Sequence, residues 1–213
     1  MTPTSWALLA VAAALAVLDW WAVWTERGEV RFLSKPAALA ALVTVAMTLH
    51  PVDGRIRPWI VLGLVLSLLG DVFLLLDERW FVGGLGAFLV GHLAYVVGLQ
   101  LAPTSAAGTL VGLGVVAVMV ATVGRRIVRA VHAGPRRSLT GPVIVYLLVI
   151  SAMVISAAGT LAVLAVVGAL LFYVSDATLA WNRFVARRRT GPVAVMVSYH
   201  LAQAGLVGWL AYP

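Results

Sequence analysis

The 213 residues are 62% hydrophobic and 11% charged, with a formal net charge of +7 and a mean hydropathy of +1.04. A soluble domain of this size cannot bury that much apolar surface, so composition points to an all-α, polytopic membrane helix bundle with no room for a soluble domain. The apolar runs do not alternate as barrel strands do, and the absence of cysteine excludes disulfides, thiolate catalysis and Cys-ligated metals.

Eight transmembrane helices are expected, at 5–24, 36–50, 58–76, 82–100, 107–125, 141–157, 160–181 and 192–211, forming one membrane domain over 1–213. The first has no Lys or Arg before it and no signal-peptidase site after it, so it is expected to be a retained span. Trp20, Trp21 and Trp24 at its end, with Trp80 and Trp181, are expected to form an interfacial belt, and Asp19 to sit at the interface. Spans two and six open with Pro36 and Pro142, as a first helical turn allows. That places Lys35 at the edge of the bilayer. Glycines crowd spans three and four, as in a close-packed pair.

Basic residues cluster in the loop 125–140 and after span seven, which should be cytoplasmic. Eight spans then put 13 of the 15 Lys and Arg residues inside, leaving Arg55 and Arg57 outside and both termini non-cytoplasmic. Topology therefore accounts for the positive charge, and no nucleic-acid partner is expected. The Ala/Val/Arg-rich composition suggests a bacterial plasma membrane, and the short loops argue against large docking partners.

Two aspartates interrupt apolar spans, Asp71 in VLGLVLSLLGDVFLLL and Asp176 in LAVVGALLFYVSDATLAW. A carboxylate at membrane depth is costly and marks a functional site. One span after each comes a histidine, His92 and His200, 21 and 24 residues on. Three residues further, on the same helix face, stand Tyr95 and Gln203. GDVFLLLDERWF at 70–81 also parallels SDATLAWNRF at 175–184, which aligns Asp77 with Asn182 and brings in Arg183. The two halves, about 1–105 and 106–213, are thus expected to be parallel repeats. At 1.5 Å per residue the aspartates should lie roughly 8 Å and the histidines about 12 to 15 Å from the cytoplasmic side. One cavity lined by the whole polar set is the expected arrangement.

The chain resembles the YhhN family of eight-span membrane proteins, through SKP at 34–36, SLLGDVFLLL at 67–76, GLGAFLVGHLAYVVG at 84–98, GALLFYVSDATLAWNRF at 168–184 and SYHLAQAGL at 198–206. The resemblance implies hydrolysis of the vinyl ether bond of a lysoplasmalogen, a lysophospholipid drawn from the bilayer, to a fatty aldehyde and a glycerophospho-headgroup. Such chemistry needs an acid to protonate the alkenyl carbon, a negative charge beside the oxocarbenium ion, and a base for the attacking water. Asp71 and Asp176 suit that acid/base work. His92 and His200 would orient an Asp or relay a proton, and Tyr95, Tyr199 and Gln203 would position substrate. Lys35 would hold a phosphate or pair with an Asp, and Asp77, Asn182 and Arg183 would meet the headgroup.

Two His and two Asp match zinc or iron by ligand type, but no His-x-x-x-His spacing is present and the depths separate them, so no metal is expected. No cofactor is expected either, water being the sole co-reactant needed. The competing possibilities are a proton-coupled transporter or lipid-binding protein using the same aspartates, and a structural membrane protein.

Overall fold

The computed structural model describes residues 2–51 and 53–211. Eight long helices account for most of the chain. They are α1 (Pro3–Trp24), α2 (Gly28–Thr48), α3 (Ile56–Leu75), α4 (Phe81–Gln100), α5 (Ala106–Ala133), α6 (Thr140–Thr160), α7 (Val163–Phe184) and α8 (Gly191–Trp209). The first seven are long and apolar enough to cross a membrane by length and composition. α8 has 19 residues and carries Ser198, Tyr199, His200 and Gln203, which dilute its apolar content.

Local signals set several helix ends. The Thr2 hydroxyl accepts from the Ser5 amide at 3.2 Å and Pro3 opens α1, a side-chain cap followed by a residue pre-set for the first turn. Ser105 caps α5 in the same way. α6 stops at Leu161, whose φ of 57° is left-handed and incompatible with continuing the helix.

Two boundaries differ from the sequence expectation. α2 begins at Gly28, so Pro36 lies inside the helix and has no N–H to offer the Phe32 carbonyl. Lys35 is consequently two turns into α2, not at its edge. The segment after residue 125 is also helical to Ala133, past a π-turn at Val120–Gly124. Its Ile127 and Val131 bury against Val143 while Arg125, Arg126 and Arg129 face outward. That amphipathic pattern is what makes the stretch helical despite its charge.

Consecutive helices pack as hairpins: α1 with α2, α3 with α4, α7 with α8, and α5 against α6. α8 also touches α1, α2 and α3, and α6 touches α4 and α7. Close approach depends on small residues. A Cβ on Gly168 of α7 would stand 3.0 Å from the Ala202 carbonyl oxygen and 3.1 Å from the Leu206 nitrogen of α8, both backbone atoms that cannot swing aside. Gly168→Leu is expected to force the pair apart and cost about 1–3 kcal/mol. Thermal unfolding in detergent checks this beside Gly86→Leu, which has open space and should unfold as the parent does.

At the centre, Phe88, His92, Tyr95, Phe172 and Tyr199 pack mostly edge to face, His92 on Phe172 at 4.5 Å between centroids and Phe172 on Tyr199 at 5.5 Å. This aromatic cluster joins α4, α7 and α8, and its Phe88 and Tyr199 line a polar cavity.

Candidate active site

α2, α3 and α8 bring together a buried triad. Lys35 Nζ lies 2.9 Å from Asp71 Oδ1, with side chains 3% and 1% exposed. The Tyr199 hydroxyl donates to Asp71 Oδ2 at 2.8 Å. Lys35 does not snorkel to water; its charge is spent on a carboxylate inside the bundle, where an unpaired ion would be prohibitively costly.

Asp176 of α7 is held differently. The Tyr146 hydroxyl of α6 donates to its Oδ2 at 2.6 Å. His92 Nε2 stands 3.6 Å from the same oxygen. No Lys or Arg among the described residues lies within ion-pair distance of it. Its side chain keeps 15% exposure, because it opens into two cavities. His92 is 1% exposed, and neither ring nitrogen has a hydrogen-bond partner among the described residues.

The first cavity, about 220 Å³, is polar: Arg31, Lys35, Asp71, Asp77, Glu78, Asp176, Arg183 and Tyr199 line it over apolar walls from Phe81 and Phe88. The second, about 70 Å³, is an apolar slot between α4, α5, α6 and α7. Val123, Ile127, Val143, Leu147, Ile150 and Tyr173 are among its walls, and Asp176 and Arg183 are its only charged members among the described residues. Both cavities share Phe81, Phe88, Asp176, Leu179 and Arg183. The polar and the apolar cavity therefore meet at Asp176.

Six of the residues singled out from the sequence thus share one cavity: Lys35, Asp71, Asp77, Asp176, Arg183 and Tyr199. His92 adjoins it through Asp176. Tyr95 and Gln203 lie away from it and bind each other, the tyrosine hydroxyl donating to Gln203 Oε1 at 2.6 Å. His200 is also outside the cavity, its Nδ1 accepting from Trp20 Nε1 at 2.9 Å. The expectation of one cavity for the whole set therefore fails for this deeper group, which ties α4 to α8 and α1 to α8 instead.

Asn182 departs from the alignment with Asp77. α3 ends four residues after Asp71, whereas α7 continues eight residues past Asp176. Asp77 consequently falls in the turn at the cavity mouth, ion-paired to Arg79 at 3.5 Å. Asn182 remains helical, faces Gly191, and accepts from the Arg188 amide at 3.2 Å. It holds the α7–α8 loop.

Among the residues expected at the interface, Asp19 turns into the bundle. Asp19 is fully buried, accepting from Ser34 Oγ at 3.3 Å. Helix phase explains it: Ala12, Ala16 and Asp19 share the buried stripe of α1.

Sequence reasoning passed over Tyr146, Arg31 and Glu78. Tyr146 is the one tyrosine of the sixth apolar span, and Arg31 lies one turn before Lys35; both were visible signals. Nothing in the sequence marks Glu78, whose importance comes from the loops it joins.

The YhhN family model matches residues 30–210. Two lysoplasmalogenases, from Mycobacterium bovis and Mycobacterium tuberculosis, are each 38% identical to the chain over 173 residues, covering 78% of it and 65% of their own length. The chain therefore spans just under two thirds of these curated relatives. No solved structure matches.

Proposed function

The chain belongs to the YhhN family, and on that premise we propose that it is an intramembrane hydrolase that cleaves the vinyl ether bond of a lysoplasmalogen with Asp176 as the general acid. The observation that carries this is the meeting of a polar and an apolar cavity at Asp176. The headgroup occupies the polar side, the first carbons of the alkenyl chain enter the slot, and the ether junction falls beside the carboxyl. The 38% identity to two lysoplasmalogenases supports the same chemistry.

Asp176 in its protonated form gives its proton to the alkenyl carbon two bonds from the ether oxygen. The electron pair of the double bond forms the new C–H bond, and the cation is shared between the adjacent carbon and the oxygen. The Asp176 carboxylate left behind faces that cation. Water adds to the cationic carbon and loses a proton to a base, for which Asp71 and His92 are the groups at hand. The hemiacetal hydroxyl then loses its proton and forms the carbonyl as the bond to the glycerol oxygen breaks, that oxygen takes the proton the base had accepted from water, the hydroxyl proton returns to Asp176, and the aldehyde leaves. The two aspartates divide the work because their surroundings differ: Asp71 has its counter-charge in Lys35, while Asp176 has none and is the one that can carry a proton without leaving a charge unbalanced.

The same proposal includes eight crossings of a bacterial plasma membrane by one domain over 1–213, with both termini non-cytoplasmic and the halves as parallel repeats. The hairpin pairing of consecutive helices and the clustering of 13 of 15 basic residues at one end support it. α8 completes the count because its polar residues face neighbouring helices, with Tyr199, His200 and Gln203 all buried.

The test is release of fatty aldehyde from an alkenyl lysophospholipid by the purified protein in detergent, with the matching acyl lysophospholipid in parallel. Aldehyde from the first and no fatty acid from the second is the expected result. A monodisperse protein that releases no aldehyde would sink the proposal.

A further inference from the structure

The turn between α3 and α4 holds a contact that this chemistry does not use. Glu78, in a short 3-10 turn over Glu78–Trp80, is ion-paired to Arg183 of α7. It also accepts from Arg136 Nη2 of the α5–α6 loop at 2.9 Å. Glu78 and Arg183 both line the polar cavity, so the carboxylate sits on a guanidinium inside the space a headgroup would fill. Arg183 does not depend on Glu78 for its position, since its guanidinium also lies over the Phe81 ring at 4.6 Å from the centroid.

We propose that Glu78 is a stand-in for phosphate: its carboxylate occupies Arg183 until the phosphate of a lipid headgroup displaces it. This rests on the proposed placement of the headgroup in the polar cavity. A guanidinium recognises carboxylate and phosphate oxygens with the same fork of donors, so one can replace the other on Arg183. The displaced carboxylate keeps a partner in Arg136 and is not left unpaired. Across the same cavity Arg31 offers a second guanidinium, with no carboxylate within ion-pair distance among the described residues. Its Nε has no hydrogen-bond partner there. Arg31 and Arg183 together would hold a phosphate from two sides, which a neutral glycerolipid cannot exploit. A neutral lipid carries no group that can displace Glu78 from Arg183 and leaves the pair in place.

The experiment measures binding, not turnover, so it stands apart from the hydrolase proposal. An acyl lysophosphatidylethanolamine and a monoacylglycerol of the same chain are titrated into the detergent-solubilised protein by calorimetry. Glu78→Gln is expected to bind the phospholipid roughly two- to fivefold tighter, the size of a partly exposed ion pair, and the monoacylglycerol unchanged. In an Arg183→Gln background the same substitution should have no effect, because the competition is over Arg183. Glu78→Ala should repeat the gain, which separates loss of the charge from a distorted turn. Phospholipid binding that is unchanged or weaker in both Glu78 variants overturns the proposal, as does equal tightening for the neutral lipid. If the gain appears but no aldehyde is ever released, the phosphate seat stands and the hydrolase proposal falls.

Discussion

Asp176→Asn is expected to lower aldehyde release by about 10²- to 10⁴-fold, the usual contribution of a positioned general acid. The substitution keeps the shape of the side chain and an oxygen that can accept from Tyr146, whose hydroxyl now donates to Asp176 at 2.6 Å. It removes the acidic proton and puts an amide NH2 in place of the other oxygen. Unfolding temperature should therefore stay close to the parent while turnover collapses, and binding of an unreactive acyl lysophospholipid should persist. Steady-state kinetics beside thermal unfolding read the two apart. A folded variant with full activity would show that the proton comes from elsewhere, and His92, 3.6 Å from the same carboxyl oxygen, would become the group to replace next.

Lys35→Met should act through stability as well as activity. Lys35 and Asp71 form an ion pair at 2.9 Å with almost no solvent exposure. Removing the cation leaves a carboxylate buried with the Tyr199 hydroxyl as its remaining donor. Breaking a buried pair from one side typically costs about 3–5 kcal/mol, because the remaining charge is uncompensated. Replacing both partners is milder, since no charge is then left behind. Lys35→Met with Asp71→Leu should thus be more stable than Lys35→Met alone, a coupling that distant, independent sites would not show. Thermal unfolding of the two singles and the double forms the cycle. If the double is the sum of the singles, the pair is not what holds α2 to α3. Activity should be lost in all three, since Lys35 and Asp71 both line the polar cavity.

The all-helical architecture and Asp71, Asp176 and Lys35 were legible because each rests on a local rule. Long apolar runs without alternation make helices, and an ionised group in such a run needs a partner or a cavity. Lys35 illustrates the limit of that rule. The tripeptide SKP suggested a helix start, since proline opens helices well, yet α2 begins eight residues before Pro36. Only packing against α3, with Asp71 waiting, makes the buried position of Lys35 affordable. Asp19 misled in the same way. Beside three tryptophans at the end of a span it looked interfacial, but its helix phase turns it onto α2 and the Ser34 hydroxyl.

By itself the sequence determined a membrane-embedded helical chain with two carboxylates at depth, because hydropathy and the cost of burying charge act residue by residue. It did not determine which of the deep polar groups share a space. Asp77 and Asn182 occupy equivalent places in the two motifs, but α7 runs further past its aspartate than α3 does, so one reaches the cavity mouth and the other a loop. Tyr146, Glu78 and Arg136 come from segments far apart in the chain and acquire their partners only when the helices assemble. The division between Asp71, with a lysine beside it, and Asp176, with a tyrosine and two cavities, is likewise a product of packing. Charge balance in a buried site depends on what lies across the gap from it, and in this chain that partner comes from another helix.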